Sequence, residues 1–351
     1  MGYQVNVQPS GRQFEVLDGE TVLEAGIRQG IGLPYGCKDG ACGSCKCKKI
    51  SGNVEHKPYQ PSALSEDEAA QGFVLTCRAV PGSDLVLESR QVTSEGAYPV
   101  RKMPVRVLGM EQLSSDVMRL TLQLPANAPM QFHAGQYLDF LLADGQRRSY
   151  SMATAPHQVD PNKPQVELHV RHMPGGKFTD HVFSAMKEKE ILRVEGPFGS
   201  FFLRDNSAGP VLFLASGTGF APIKAILEHM THTGNQRKVF LYWGARRPVD
   251  IYMHQWMLDY CAAHPNVSYV PVVSDALPED VWEGKRGLAL NQMLQDHPDM
   301  SSYQLYACGV PAMVHAAHAQ CVGKAQLPED SFFADAFTSL KDKTAQTATS
   351  A

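Results

Sequence analysis

The chain has 351 residues, which is too long for one ordinary hydrophobic core, so two or three domains are expected. Its net charge of -4 and its 43% hydrophobic content give no reason to expect nucleic-acid or membrane-surface binding. The amino terminus lacks the basic flank and apolar core of a signal peptide, and no apolar run is long enough to span a membrane. These features predict a cytoplasmic protein whose cysteines stay reduced.

Residues 1–92 are predicted to form a small β-rich domain. The segments YQVNVQ and RQFEVL alternate like strands, and FVLTCRAV supplies another strand further along. Thr21 and Glu24 have the spacing of a capping box, and the helix that follows should end at Gly30.

Four cysteines of this domain have the spacing of metal ligands. Cys37, Cys42 and Cys45 are separated by four and two residues, and Cys77 follows after 31 more. This is the plant-type spacing for a [2Fe–2S] cluster, in which four thiolates bind two irons. Structural zinc is the alternative, but it usually requires a second cysteine pair, and Cys77 stands alone. Cys47 could replace Cys45 as a ligand, although the spacing favours Cys45.

Residues 93–103 are polar and are predicted to be a linker to a barrel of short strands at 104–204. Arg148, Tyr150 and Ser151 lie at the end of one of these strands. An arginine can hold a phosphate, a tyrosine can stack on an aromatic ring, and a serine can bond a ring heteroatom. The same residues could equally be ordinary strand content.

A second candidate site follows the strand that contains His169, which we include among the cofactor-binding residues. Gly175 and Gly176 precede a predicted helix, so their amides are available to an anion, with Thr179 as a further donor. A simple glycine turn is the alternative.

Residues 205–339 change in character, because buried-type strands alternate with helices as in a parallel α/β domain. The first strand, VLFLAS, runs into Gly217, Thr218 and Gly219, and Pro222 lies in the helix that follows. A glycine turn between a buried strand and a helix is typical of a pyrophosphate site. It lacks the G-x-G-x-x-G spacing, so an ordinary dinucleotide dehydrogenase is disfavoured.

Two arginines, Arg246 and Arg247, follow the next strand, where such domains meet the second ribose. They could bind a 2′-phosphate, stack on adenine or remain solvated, so the sequence leaves NADH and NADPH both open. The final residues, 340–351, have nothing to bury and are predicted to be disordered.

The motifs RRSYSMA, HVRHMPGGKFTDHVF, ASGTGFAP, YACGVP and FFADAF resemble those of the ferredoxin–NADP reductase superfamily. The resemblance implies that Tyr150 and Ser151 face the flavin ring while Arg148 holds its phosphate with the glycine turn. It also implies that Cys308 and Gly309 lie near the nicotinamide and that Phe337 covers the flavin face. Ser151, Cys308 and Phe337 would then be the catalytic residues.

The order of the three parts resembles the reductase components of bacterial ring-hydroxylating oxygenases and multicomponent monooxygenases. Particular likeness is to the reductases of terephthalate dioxygenase and the CDP-6-deoxy-glucoseen reductases. The resemblance implies a multidomain α+β and α/β protein: a β-grasp ferredoxin, a flavin-binding antiparallel β-barrel and a parallel α/β nucleotide-binding domain.

The same resemblance implies what the protein binds and does. It would take a hydride from NADH or NADPH onto FAD, which the domain order favours over FMN. It would then pass single electrons through the cluster to an acceptor protein, and act as a monomer. An oxygenase component is the expected acceptor, and a CDP-sugar dehydratase is the alternative. A redox sensor, or a non-catalytic subunit of a larger complex, is a different class of function that the motifs leave open.

Overall fold

The computed structural model describes residues 2–93, 98–127 and 130–339. The predicted tail at 340–351 and residues 94–97 of the predicted linker lie outside this part of the chain. The described residues form two compact units. The first contains the chain up to Val100 with two later segments, Gly199–Phe201 and the residues from Asp335 onward. The second contains Arg101–Phe198 and Phe202–Ala334.

The first unit is built on a mixed five-stranded sheet with the strand order β2-β1-β7-β3-β5 and a separate β4-β6 pair. Its elements are β1 (Tyr3–Gln8), β2 (Arg12–Val16), α1 (Val22–Arg28), β3 (Lys46–Ser51), β4 (Val54–His56), α2 (Glu66–Ala70), β5 (Phe73–Leu75), β6 (Ala79–Pro81) and β7 (Leu85–Glu88). Strand β1 pairs antiparallel with β2 and parallel with β7. Helix α1 starts with the predicted capping box: Thr21 accepts from the Glu24 amide, and the Glu24 carboxylate accepts from the Thr21 amide.

The prediction of one strand over FVLTCRAV was wrong, because β5 and β6 are separate. The backbone between them turns, with the Arg78 amide donating to the Leu75 carbonyl at 2.8 Å. The turn holds Cys77 in the loop rather than in the regular alternation of a strand, where its side chain would follow the pleat. The thiol is thereby free to approach the cysteine loop of residues 37–45.

The second unit begins with a six-stranded antiparallel sheet of order β11-β10-β13-β8-β9-β12. Its elements are β8 (Arg101–Ser114), β9 (Val117–Gln123), β10 (Tyr137–Leu141), β11 (Arg147–Ser151), β12 (Gln165–Arg171), α3 (Lys177–Ser184) and β13 (Ile191–Phe198). An antiparallel bridge between Met152 and Leu168 joins the two edges, so the sheet closes as the predicted barrel. Its core is apolar, with Leu120, Leu138 and Leu168 fully buried.

The remainder of the second unit is the predicted α/β arrangement. Its elements are β14 (Val211–Ser216), α4 (Phe220–His232), β15 (Val239–Ala245), α5 (His254–Ala263), β16 (Val267–Val273), β17 (Lys285–Arg286), α6 (Ala289–Asp296), β18 (Gln304–Gly309), α7 (Pro311–Cys321) and β19 (Phe332–Ala336), whose last two residues belong to the first unit. The strand order is β17-β16-β15-β14-β18-β19, and β14 pairs parallel with both β15 and β18. Within the described residues, no helix has the length and apolar character needed to cross a membrane.

Candidate functional site

The four predicted ligand cysteines lie together as two pairs. The Cys45 and Cys77 sulfurs are 3.3 Å apart, and the Cys37 thiol is hydrogen-bonded to Cys42. A [2Fe–2S] cluster has two irons, each with two protein thiolates, so the arrangement fits this group. Three of the four residues are buried, and Cys37 is partly exposed.

The loop around these thiols also fits a cluster. The amides of Cys37 and Asp39 donate to the Cys42 and Cys37 sulfurs, each at 3.4 Å. A Cβ on Gly36 would lie 3.4 Å from the Cys42 sulfur, so glycine leaves the sulfur uncovered. Contact with Cys45, together with burial, raises the pKa of Cys77. Thiolates held so close together require positive charge between them, which is what a bound cluster brings.

Cys47 differs from these four. It lies in β3 opposite Val74, it is only 3% exposed, and burial raises its pKa to about 12. A side chain packed in the sheet in this way is consistent with the structural interpretation and with Cys45 as the ligand.

The predicted flavin residues lie in β11, with Arg148 near its start and Tyr150 and Ser151 at its end. Ser151 is buried, and Tyr150 packs edge-on against Phe140 and at a tilt against Phe178, with centroid distances of 5.7 and 5.2 Å. Arg148 donates to the Gln146 side chain at 2.6 Å. Gln146 lies in the turn directly before β11, so this bond is local. A bound phosphate would compete with the Gln146 side chain for the Arg148 guanidinium.

The predicted glycine turn precedes α3. Gly175 has a φ of +82°, which favours glycine, and its amide donates to Asp180 at 3.1 Å. The Thr179 hydroxyl donates to the Met173 carbonyl at 2.9 Å, and a Cβ on Gly176 would lie 2.7 Å from that hydroxyl. The turn is therefore tightly closed around Thr179, which fixes the direction of the amides at the start of the helix.

Two predicted motifs meet at the carboxyl edge of the parallel sheet. Gly217, Thr218 and Gly219 form a single 3₁₀ turn between β14 and α4, and Pro222 is buried in the first turn of that helix. Cys308 and Gly309 end the neighbouring β18. Crevices at this edge of open α/β sheets are where nucleotides bind.

The approach of the two motifs is very close. A Cβ on Gly219 would lie 2.2 Å from the Cys308 carbonyl oxygen, and Gly309 has a φ of +135° beside Ser216. Only glycine permits this contact, so the backbone of the turn and the Cys308 backbone form one surface.

The two predicted arginines are paired with carboxylates from the segment between β16 and β17. Arg247 binds Asp280 through two bonds of 2.9 and 2.7 Å, and Arg246 lies 3.3 Å from Asp275. Both carboxylates stand beside the position predicted for the second ribose.

His169 is buried, and both ring nitrogens are in protein contacts, with Glu167 at 2.7 Å and Tyr252 at 2.9 Å. Its side chain therefore faces protein groups rather than open space. Sequence reasoning missed Tyr252 and also Lys224, which is buried in α4. Lys224 is the one charge in the apolar run APIKAIL, which follows the glycine turn, whereas no pattern in the sequence marks Tyr252. Phe337 lies directly after β19 and is partly exposed.

Three family profiles match the chain. They are the 2Fe-2S iron-sulfur cluster binding domain at residues 5–82, the oxidoreductase FAD-binding domain at 104–203 and the oxidoreductase NAD-binding domain at 213–319. The predicted cofactors are thereby confirmed as classes: the chain has a [2Fe–2S] domain, an FAD domain and an NAD domain.

Relatives match along nearly the whole chain. The CDP-6-deoxy-L-threo-D-glycero-4-hexulose-3-dehydrase reductase of Yersinia pestis is 38% identical over 97% of this chain and 100% of its own length. The reductase component of phenol 2-monooxygenase from Pseudomonas is 33% identical over 100% of this chain and 99% of its own. The crystal structure of the Amycolatopsis cytochrome P450 reductase GcoB superposes with a TM-score of 0.77 at 30% identity, covering 96% of this chain and 99% of that one. With its paired thiols and its nucleotide edge, the chain belongs to the iron–sulfur flavoprotein reductases that serve oxygenases and related acceptor enzymes.

Proposed function

We propose that this protein is an NADH-dependent reductase component whose acceptor is a separate oxygenase protein. The family passes electrons from a nicotinamide cofactor through FAD and a [2Fe–2S] cluster to a partner, and the bound cofactors supply this redox chemistry. The observation that carries the proposal is the division of Cys37, Cys42, Cys45 and Cys77 into two sulfur pairs. A flavin enzyme that works without single-electron transfer has no use for such a site.

The chain's own residues would position the cofactors. Ser151 and Tyr150 would contact the flavin ring at the end of β11, with Arg148 and the turn at Gly175, Gly176 and Thr179 on its phosphates. Support comes from the burial of Ser151 and from the closed geometry of the turn. His169 would act indirectly in this proposal, through its bonds to Glu167 and Tyr252.

The nicotinamide side would be built from the carboxyl edge of the sheet. The turn Gly217–Gly219 and the following Pro222 would hold the pyrophosphate. Cys308 and Gly309 would border the nicotinamide, with Phe337 against the flavin face. The contact between Gly219 and the Cys308 carbonyl supports this part of the proposal, because it makes one continuous surface of two strand ends.

NADH is the proposed donor, because the candidate phosphate-binding arginines are already engaged. Arg247 is held in a two-point bond by Asp280, the geometry in which a guanidinium binds a carboxylate most strongly. Asp275 lies beside Arg246. A 2′-phosphate would have to displace one carboxylate and would be repelled by both.

Two classes of acceptor protein are supported by the relatives of this chain. An oxygenase is proposed first, since several relatives are reductase components of monooxygenases and dioxygenases. A sugar dehydrase is the second candidate, because the Yersinia relative at 38% identity carries that name. We further propose that the protein acts as a monomer in the cytoplasm, where the reducing environment would keep its cysteines out of disulfides.

An anaerobic titration with NADH and then NADPH, read by absorbance and low-temperature EPR, tests the electron path. We expect NADH to bleach the flavin and to produce the rhombic signal of a reduced [2Fe–2S] cluster. Cys77→Ala should abolish that signal and keep the flavin bleaching, whereas the matched change Cys47→Ala should keep both. Protein that retains iron and sulfide, yet gives a bleached flavin and no signal, would contradict the proposed path.

A further inference from the structure

The outer face of β12 carries a row of polar side chains. Its inner face is the barrel core, with Val166, Leu168 and Val170 at 1%, 0% and 0% exposure. Since successive side chains of a strand point to opposite faces, Glu167, His169 and Arg171 point outward. An outward histidine that is 3% exposed must be covered by another part of the protein.

The α/β part of the same unit provides that cover. Tyr252 bonds His169, Lys224 lies 3.9 Å from Glu167, and Gly217 lies against Arg171, whose guanidinium is 3.0 Å from where a Cβ would stand. The polar row of β12 therefore contacts helix α4, Tyr252 just before α5, and the turn that follows β14.

The Tyr252–His169–Glu167 chain has one consistent proton arrangement. Burial lowers the pKa of His169 and raises the pKa of Tyr252, so the ring is neutral and the hydroxyl keeps its proton. Burial alone would raise the pKa of Glu167, but the bond from His169 and the charge of Lys224 outweigh it and lower the pKa. The carboxylate can only accept, so His169 Nε2 donates to it, and Nδ1 accepts from Tyr252.

Lys224 makes the second crossing bond. Its side chain is 9% exposed, and its ammonium donates to the Ala153 carbonyl at 3.0 Å and pairs with Glu228 at 3.0 Å. Ala153 is only two residues beyond Ser151, at the end of the strand that carries the proposed flavin contacts. A buried ammonium that loses its partners is costly, so this contact resists separation of the two parts.

We propose that Lys224 and Tyr252 are positioning residues that hold the nucleotide-binding part against the flavin barrel for hydride transfer. The inference rests on the proposed function, in which the flavin is held by one part and the nicotinamide by the other. Hydride transfer requires the reacting atoms to be about 3–3.5 Å apart, so any slack between the parts becomes an error in that distance. Two separate bonds resist rotation, which a single bond would allow.

Tyr252→Phe is the direct test, since it removes one hydroxyl and keeps the ring. Stopped-flow reduction of the holoenzyme by NADH and by deuterated NADH should show a limiting rate about tenfold lower and an altered isotope effect. The dissociation constant for NADH should stay within about twofold, because no nucleotide contact is removed. Lys224→Met should change the same quantities in the same direction.

Tyr260→Phe is the matched control. The Tyr260 hydroxyl bonds Leu227 and Thr231 at 2.8 and 2.5 Å, so it joins α5 to α4 without reaching the barrel. A reduction rate in Tyr252→Phe equal to that in Tyr260→Phe would overturn the proposal.

Hydrogen–deuterium exchange gives a readout that does not depend on turnover. Amides of β12 and α4 should exchange faster in Tyr252→Phe than in Tyr260→Phe, and equal exchange would also overturn the proposal. If NADH fails to bleach even the unmodified flavoprotein, the proposed function falls, and the exchange comparison alone decides whether the contact holds the parts together.

Discussion

The contact between Gly219 and Cys308 allows one prediction to be worked out from distances. In Gly219→Ala the new Cβ would lie 2.2 Å from the Cys308 carbonyl oxygen and 2.6 Å from its carbon, and ordinary contact begins at 3.4 Å. Both neighbours are backbone, so the turn before α4 must move by about 1 Å. Misplacement of this size costs about 100-fold in rate when it reaches the reacting groups.

The assay is steady-state reduction of ferricyanide with NADH, with flavin content measured on the same protein. We expect kcat/KM for NADH to fall about 100-fold while the flavin remains bound. Gly109→Ala is the control, because its Cβ would meet nothing nearer than Thr121 at 3.9 Å. A Gly219→Ala protein that stays within about twofold of the Gly109→Ala protein would refute the argument that this turn sets the nicotinamide position.

Three further outcomes are expected. Asp280→Asn removes one negative charge beside Arg247 and should raise the NADPH-to-NADH ratio of kcat/KM about fivefold; an unchanged ratio would place the second ribose elsewhere. Burial lowers the pKa of His133 from 6.5 to about 4, so the unfolded chain binds the proton more tightly. Between pH 7 and 5 the free energy of unfolding should therefore fall by about 2 kcal/mol, and His133→Gln should flatten that slope in urea titrations. Thr21→Ala removes the bond to the Glu24 amide and should destabilise α1 by about 1 kcal/mol, seen as earlier loss of cluster absorbance in urea.

The strands and helices were largely predictable because their signals are local. VLFLAS is β14 without change of boundary, and the capping box at Thr21 starts α1 where its spacing requires. The segment around Cys77 was the exception. Its residues suit a strand by propensity, but the chain turns there to bring the thiol to Cys45, and that demand arises from a distant loop.

The sequence by itself determined which chemistries the chain carries, because ligand spacing, glycine turns and strand-to-helix junctions are written in short segments. Tertiary structure alone decided how those segments meet: the approach of Gly219 to Cys308, the clamp of Asp280 on Arg247, and the buried bonds of Tyr252 and Lys224. Each of these joins residues far apart in the chain. A side chain that is buried by a distant strand cannot be recognised from the residues next to it in the chain. Its burial and its bonding partners depend on which residues the fold brings around it.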